Sequence, residues 1–65
     1  MKVTKQPMVY RGLDKTGIHV FTRRYYFNDR PSRMAVYGSL ANKKSDAKVE
    51  ADHGFYRFEM EQNIQ

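Results

Sequence analysis

Arg23-Arg24-Tyr25-Tyr26-Phe27 sets two guanidinium groups beside three rings in five consecutive residues. Guanidinium groups pair bidentately with phosphates. Exposed rings offer stacking surfaces to unpaired bases. Arg30 and Arg33 flank the bend that follows, Tyr37 lies on the next segment, and Lys43 and Lys44 come shortly after it. Arg23, Arg24, Tyr25, Arg30, Arg33, Tyr37, Lys43 and Lys44 therefore form the candidate surface for an anionic polymer. The competing assignment makes Tyr25, Tyr26 and Phe27 core and leaves the arginines to solvate its rim. A short chain needs most of its rings inside.

Other chemistry has little support. His19 and His53 are far apart, and zinc needs three or four converging ligands. His19, beside Ile18 and Val20, reads as a strand-surface residue and His53 as a solvated turn residue. Glu59 and Glu61 would be neighbours on one strand face. Paired carboxylates can do acid–base work when burial raises one of them, but on a terminal strand they read as a solvated face. No serine sits in a nucleophile elbow, and Gly12, Gly17, Gly38 and Gly54 lack phosphate-loop spacing. The chain reads as a non-enzyme with no metal and no cofactor.

With 65 residues it is expected to be one domain, residues 1–65. There is no cysteine, so neither a disulfide nor a thiolate metal site can stabilise it. That absence fits a reducing compartment such as the cytoplasm. No apolar run resembles a signal peptide or a membrane span. The net charge of +5 is unevenly placed. Residues 1–44 carry ten Lys/Arg against Asp14 and Asp29, a net of +8. Residues 45–65 carry Lys48 and Arg57 against Asp46, Glu50, Asp52, Glu59 and Glu61, a net of −3. A basic half can meet an anionic partner, or the two halves can attract each other in the fold.

The elements that must position these residues follow from pattern. Residues 1–7 are polar, end at Pro7 and read as a loose amino-terminal arm. Gly12 to Gly17 is a loop signal. Residues 18–27 are almost all β-branched or aromatic, the types that suit a pleated surface. Ile18 and Val20 share one face, while Phe21, Tyr25 and Phe27 share the other. Either both faces are partly covered or a bulge near Thr22 to Arg24 switches the face. Asn28-Asp29-Arg30-Pro31-Ser32 is a strong turn. Met34, Val36, Gly38 and Leu40 then share a face of a second strand, opposite Ala35 and Tyr37. Residues 18–40 are a β-hairpin.

Residues 45–52 fit two patterns. As a strand, Ala47, Val49 and Ala51 alternate with charged residues, Asp52-His53-Gly54 turns, and residues 55–61 pair back. As a helix, Leu40, Lys44, Ala47 and Ala51 share a face, Ser45 caps the start and Gly54 stops it. Alanine, lysine and glutamate favour the helix, but a nine-residue helix with an alanine face gains little by packing. The strand pattern leads to a mainly β fold, a small curved antiparallel sheet or SH3-like barrel of about five short strands. The alternative is α+β, a three- or four-stranded antiparallel sheet with one short helix at about 42–53. Residues 55–61 are a strand in both.

Tyr10-Arg11-Gly12, the long hairpin, and Tyr37-Gly38-Ser39-Leu40 before an alanine-rich charged segment resemble AP2-type and integrase amino-terminal domains. The resemblance covers residues 10–52. It implies a three-stranded sheet that contacts DNA and a helix packed behind it. The chain departs from that pattern in the extra strand expected at 55–61 and in lacking a longer apolar helix. The chain is not assigned to those families on this basis.

Two functions follow as expectations. The first is a small nucleic-acid-binding or nucleic-acid-associated accessory protein. The second is a protein–protein module, of the type found among phage and mobile-element proteins, that docks on an acidic surface of a larger enzyme. No membrane partner is expected. So small a core, with Met8, Met34 and Met60, is also compatible with a homo-oligomer.

Overall fold

A computed structural model describes residues 3–64; Met1 and Lys2, the start of the expected arm, lie outside that range. In order along the chain come strands β1 (Val3–Lys5), β2 (Val9–Leu13), β3 (His19–Phe27) and β4 (Arg33–Ser39), then helix α1 (Lys44–Glu61). The nine residues of β3 organise the sheet. β4 pairs antiparallel along one edge of β3, from His19↔Ser39 to Tyr25↔Arg33. The other edge is shared by β2, which pairs with residues 19–22, and β1, which pairs with residues 25–27. The expected arm thus contributes a strand at Val3–Lys5. β1 and β2 act as one strand interrupted at Gln6-Pro7-Met8, where proline has no N–H to offer a ladder. Gln6 N–H still reaches the Arg24 carbonyl at 2.9 Å.

The fold is the α+β alternative, with strands dominating. The sequence expectations for the carboxy-terminal segment change. The helix is longer than 42–53, and residues 55–61, expected as a strand, are its second half. The buried positions show why: Ala47, Ala51, Phe55 and Glu59 recur every four residues and form one stripe. The alternation of Tyr56, Phe58 and Met60 that suggested a strand is coincidental, because two of the three point outward from the helix, Tyr56 at 64% and Met60 at 61% exposed. Gly54 neither turns the chain nor stops the helix. A Cβ there would overlap the Tyr37 ring, so glycine lets the helix approach the sheet closely. The helix stops at Asn63, in the left-handed region at φ 56°. Asn63 N–H bonds the Met60 carbonyl and Ile64 N–H bonds the Glu59 carbonyl at 2.8 Å, a Schellman closure with Ile64 buried beneath it. At the other end the cap is Lys43, not Ser45, with no side-chain hydrogen bond.

The helix covers one face of the sheet. Phe21, Ala47, Ala51 and Phe55 form the core, with Met8, Tyr10, Ala35, Tyr37 and Ala41 packed around them. Truncating Phe55 to alanine would cost about 3–5 kcal/mol on general grounds. The irregular alternation in β3 comes from partial cover on both faces, not from a bulge within it, since its register with β4 is continuous. The irregularity lies instead in β2, between Tyr10 and Gly12, with Gly12 at φ 98°. Loop residues 14–18 are tied by Asp14, whose carboxylate accepts from Thr16 N–H, Thr16 Oγ1 and Ile18 N–H at 2.8–3.0 Å. Those three bonds, led by Ile18 N–H, hold the Asp14 carboxyl below its ordinary range.

Candidate nucleic-acid interface

A strand sends alternate side chains to opposite faces, so β3 divides the candidate residues between two surfaces. His19, Phe21, Arg23 and Tyr25 face the helix. Val20, Thr22, Arg24 and Tyr26 face away from it. Register extends each set across the sheet. Lys5, Tyr10, Ala35 and Tyr37 join the covered face, whereas Thr4, Val9, Met34 and Val36 join the open one.

The covered face turns three expected contact residues, Arg23, Tyr25 and Tyr37, away from the open one. Tyr25 is fully buried, its ring 5.5 Å from that of Phe58, and its hydroxyl donates to Glu59 Oε2 at 2.8 Å. Arg23 Nη1 lies 3.1 Å from the same oxygen, and Lys5 Nζ lies 2.7 Å from Oε1. Burial alone would raise the Glu59 carboxyl; Lys5, Tyr25 and Arg23 together outweigh it and hold the group below its ordinary range. Burial, then the neighbouring Glu59, pushes the Tyr25 hydroxyl well above its usual range. Tyr37 packs on Phe55, with ring centroids 6.3 Å apart. Beside them, His19 is buried and hydrogen-bonded through Nδ1 to the Tyr10 hydroxyl at 2.9 Å, so it is not a strand-surface residue. His53 is exposed on the helix. No group of three or more His, Asp or Glu converges among the described residues.

Of the remaining expected residues, Arg24 alone reaches the open face. Arg30 and Arg33 lie over the Phe27 and Phe58 rings at 4.4 and 5.8 Å and line a small cleft with Pro31 and Gln62. Arg30 also pairs with Asp29 at 3.4 Å. Lys44 sits 4.4 Å over the Tyr10 ring near the start of the helix, beside Lys43. The expected cationic surface is therefore split, and these four residues lie away from the open face.

The open face has a different composition from the one expected. Arg11, which sequence reasoning missed, crosses from β2 and donates through Nε to Thr22 Oγ1 at 3.0 Å. Arg24 Nη1 donates to Ser32 Oγ at 3.3 Å, and Nη2 rests 3.9 Å from Met34 Sδ. Both guanidiniums are steadied by neutral partners, and among the described residues none on this face is acidic. Around them Val9, Tyr26, Met34 and Val36 are 43%, 45%, 45% and 62% exposed. The apolar set that shares a face of the second hairpin strand, Met34 and Val36 among it, faces outward. The sequence signal for Arg11 was its place beside Gly12, since a bulge with a left-handed glycine re-aims side chains on its strand.

The helix is not apolar enough to cross a membrane, nor is any other helix among the described residues. Comparison with known protein families, curated proteins and solved structures gives no match to this chain.

Proposed function

We propose that the chain binds nucleic acid through the open face of its sheet, with Arg11, Arg24 and Tyr26 as the principal contacts and duplex DNA as the polymer. One observation supports this most: two guanidiniums without carboxylate partners among the described residues lie among exposed aliphatic side chains, on a face where no described residue is acidic. Exposed apolar side chains grouped beside cations are a feature of interaction surfaces. Single-strand binding relies on successive stacking rings, and Tyr26 is the sole ring on this face among the described residues. Arginine beside aliphatic groups instead suits a major groove, where guanine offers O6 and N7 and thymine offers a methyl group. Three strand rows span about 10 Å, and the B-form major groove is about 12 Å wide. The major groove of duplex RNA is too deep and narrow for side chains to read.

The test is an anisotropy titration with a mixed-sequence 20-base-pair duplex at low salt. Wild type is expected to bind, with affinity falling as salt rises. Arg11→Ala/Arg24→Ala is expected to lose roughly tenfold or more, at about 1 kcal/mol or more per charged hydrogen-bonding contact. No binding by wild type at 50 mM salt or below contradicts the proposal. The aliphatic content of the same face also supports a second reading, docking on an acidic protein surface. A partner retained on the chain after nuclease treatment, and released by the same double substitution, would favour it.

A further inference from the structure

Helix α1 carries a second apolar stripe on the side away from the sheet. Val49, His53, Tyr56 and Met60 follow one another at steps of four, three and four, the spacing of a helix–helix seam. Val49, Tyr56 and Met60 are 56%, 64% and 61% exposed, and His53, Tyr56, Arg57 and Met60 line a shallow groove. A surface helix of a monomer ordinarily presents polar residues on that side.

We infer that this stripe is the interface for a second copy of the chain, packed helix to helix and antiparallel. The charges beside the stripe select that occupant. In an antiparallel two-fold pair, each flank of one helix meets the same flank of the other. With the axis between positions 51 and 52, Asp46 of one copy faces Arg57 of the second, and Arg57 of the first faces Asp46 of the second. Glu50 would oppose His53 about the same midpoint, but its carboxylate accepts from the Ser39 hydroxyl at 2.7 Å within the chain, so the Asp46–Arg57 pairs carry the match. None of Asp46, His53 and Arg57 forms an ion pair within the chain among the described residues. In this register Val49 falls between His53 and Tyr56 of the second copy, and Met60 falls beside its Ser45. On the other flank the two Asp52 carboxylates approach each other across the axis. Lys48, one turn away on each copy, partly offsets their repulsion.

A second copy supplies both complementary pairs at once, because a two-fold axis that sets Asp46 against Arg57 also sets Arg57 against Asp46. The helix is about 27 Å long, so the contact is smaller than a standard interface and the association is weak. The dimer leaves both open faces uncovered and directed away from each other. The inference does not rest on what the open face binds.

Sedimentation equilibrium on the full chain, from about 10 µM to 1 mM, is the test, a range suited to interfaces below standard size. The weight-average mass is expected to rise from 7.7 kDa toward twice that value. Tyr56→Glu should remain monomeric, with unchanged helicity by circular dichroism. Arg57→Asp should weaken dimerisation about tenfold, and Asp46→Arg/Arg57→Asp should restore it, because the swapped pairs are again opposite in sign. Asp52→Asn should tighten it by relieving the like-charge approach. A wild type monomeric at 1 mM overturns the inference and gives the stripe to another partner. Self-association that the double charge swap fails to restore overturns the antiparallel register.

Discussion

Replacing Glu59 by glutamine tests how the carboxy-terminal half of the helix is held to the sheet. Glu59 is buried, and its two oxygens receive Lys5, Arg23 and Tyr25 at 2.7, 3.1 and 2.8 Å. Glutamine keeps the shape and can still accept from Tyr25, but it carries no charge to balance the Arg23 guanidinium. Losing charge-assisted hydrogen bonds of this kind costs about 2 kcal/mol. In a domain this small that lowers the melting temperature by roughly 8–16 °C. Glu59→Ala removes the acceptor altogether. It leaves Tyr25 Oη without a partner and Arg23 uncompensated, in addition to an Arg23 Nε already buried with no hydrogen-bond partner among the described residues. The cost rises to about 3–5 kcal/mol, a large share of the roughly 3–10 kcal/mol expected for a chain of this length. Lys5→Ala should cost under about 1 kcal/mol, because the Lys5 side chain is 44% exposed and already solvated. Urea denaturation followed at 222 nm gives all three values. Because Glu59 is held below its ordinary range in the folded chain, its contribution is present at neutral pH. It is lost as pH falls below the ordinary carboxylate range and through the folded value. The acid limb of the glutamine variant should be flatter than that of wild type. A Glu59→Gln variant within 0.5 kcal/mol of wild type, with an unchanged acid limb, would refute the anchoring role; that margin is the scatter of inconsequential surface changes.

Gly54→Ala should destabilise by about 1 kcal/mol or more by urea denaturation, although alanine is the better helix former, because overpacking against Tyr37 outweighs the propensity gain. Adding Tyr37→Leu should recover part of that loss; a Gly54→Ala variant more stable than wild type would contradict the close approach. Asp14→Asn should loosen the 14–18 loop, seen as faster amide exchange at Thr16 and Ile18. Wild type should show the same loosening as pH falls below the carboxylate range, since the lowered Asp14 group binds its proton more weakly folded than unfolded. Arg23→Ala should lower stability yet leave duplex affinity within twofold of wild type, because its guanidinium serves Glu59 on the covered face.

The hairpin at 18–40 was legible because β-branched and aromatic residues crowd both arms and Asn28 to Ser32 is turn chemistry. Which side of it stays bare was not legible. Apolar residues lie on both faces of the second strand, and Ala35 and Tyr37, not Met34 and Val36, meet the helix. The helix was misjudged at Gly54. Glycine there signals a turn in one dimension, and its real reason, the Tyr37 ring, exists only in three. Reading the segment as ending at that point hid the i+4 continuation through Phe55 and Glu59. The candidate site was half legible for the same geometric reason. Arg23 and Arg24 are neighbours in sequence, but the pleat sends one to a carboxylate and the other to solvent. Arg11 joins Arg24 only through a bulge, and the glycine beside it is its one mark in the sequence. The helix lies behind a four-stranded sheet, whereas the AP2 and integrase resemblance implied three strands, and the DNA contact it implied is a proposal tested by binding.

Amide and side-chain chemical-shift mapping on a labelled chain titrated with duplex DNA tests the central claim most directly. The account predicts that perturbations concentrate at Val9, Arg11, Thr22, Arg24, Tyr26 and Val36, with Ala47, Ala51 and Phe55 unmoved. Perturbations confined to the outer helix face or to the Arg30–Arg33 cleft, with the open face silent, would contradict it.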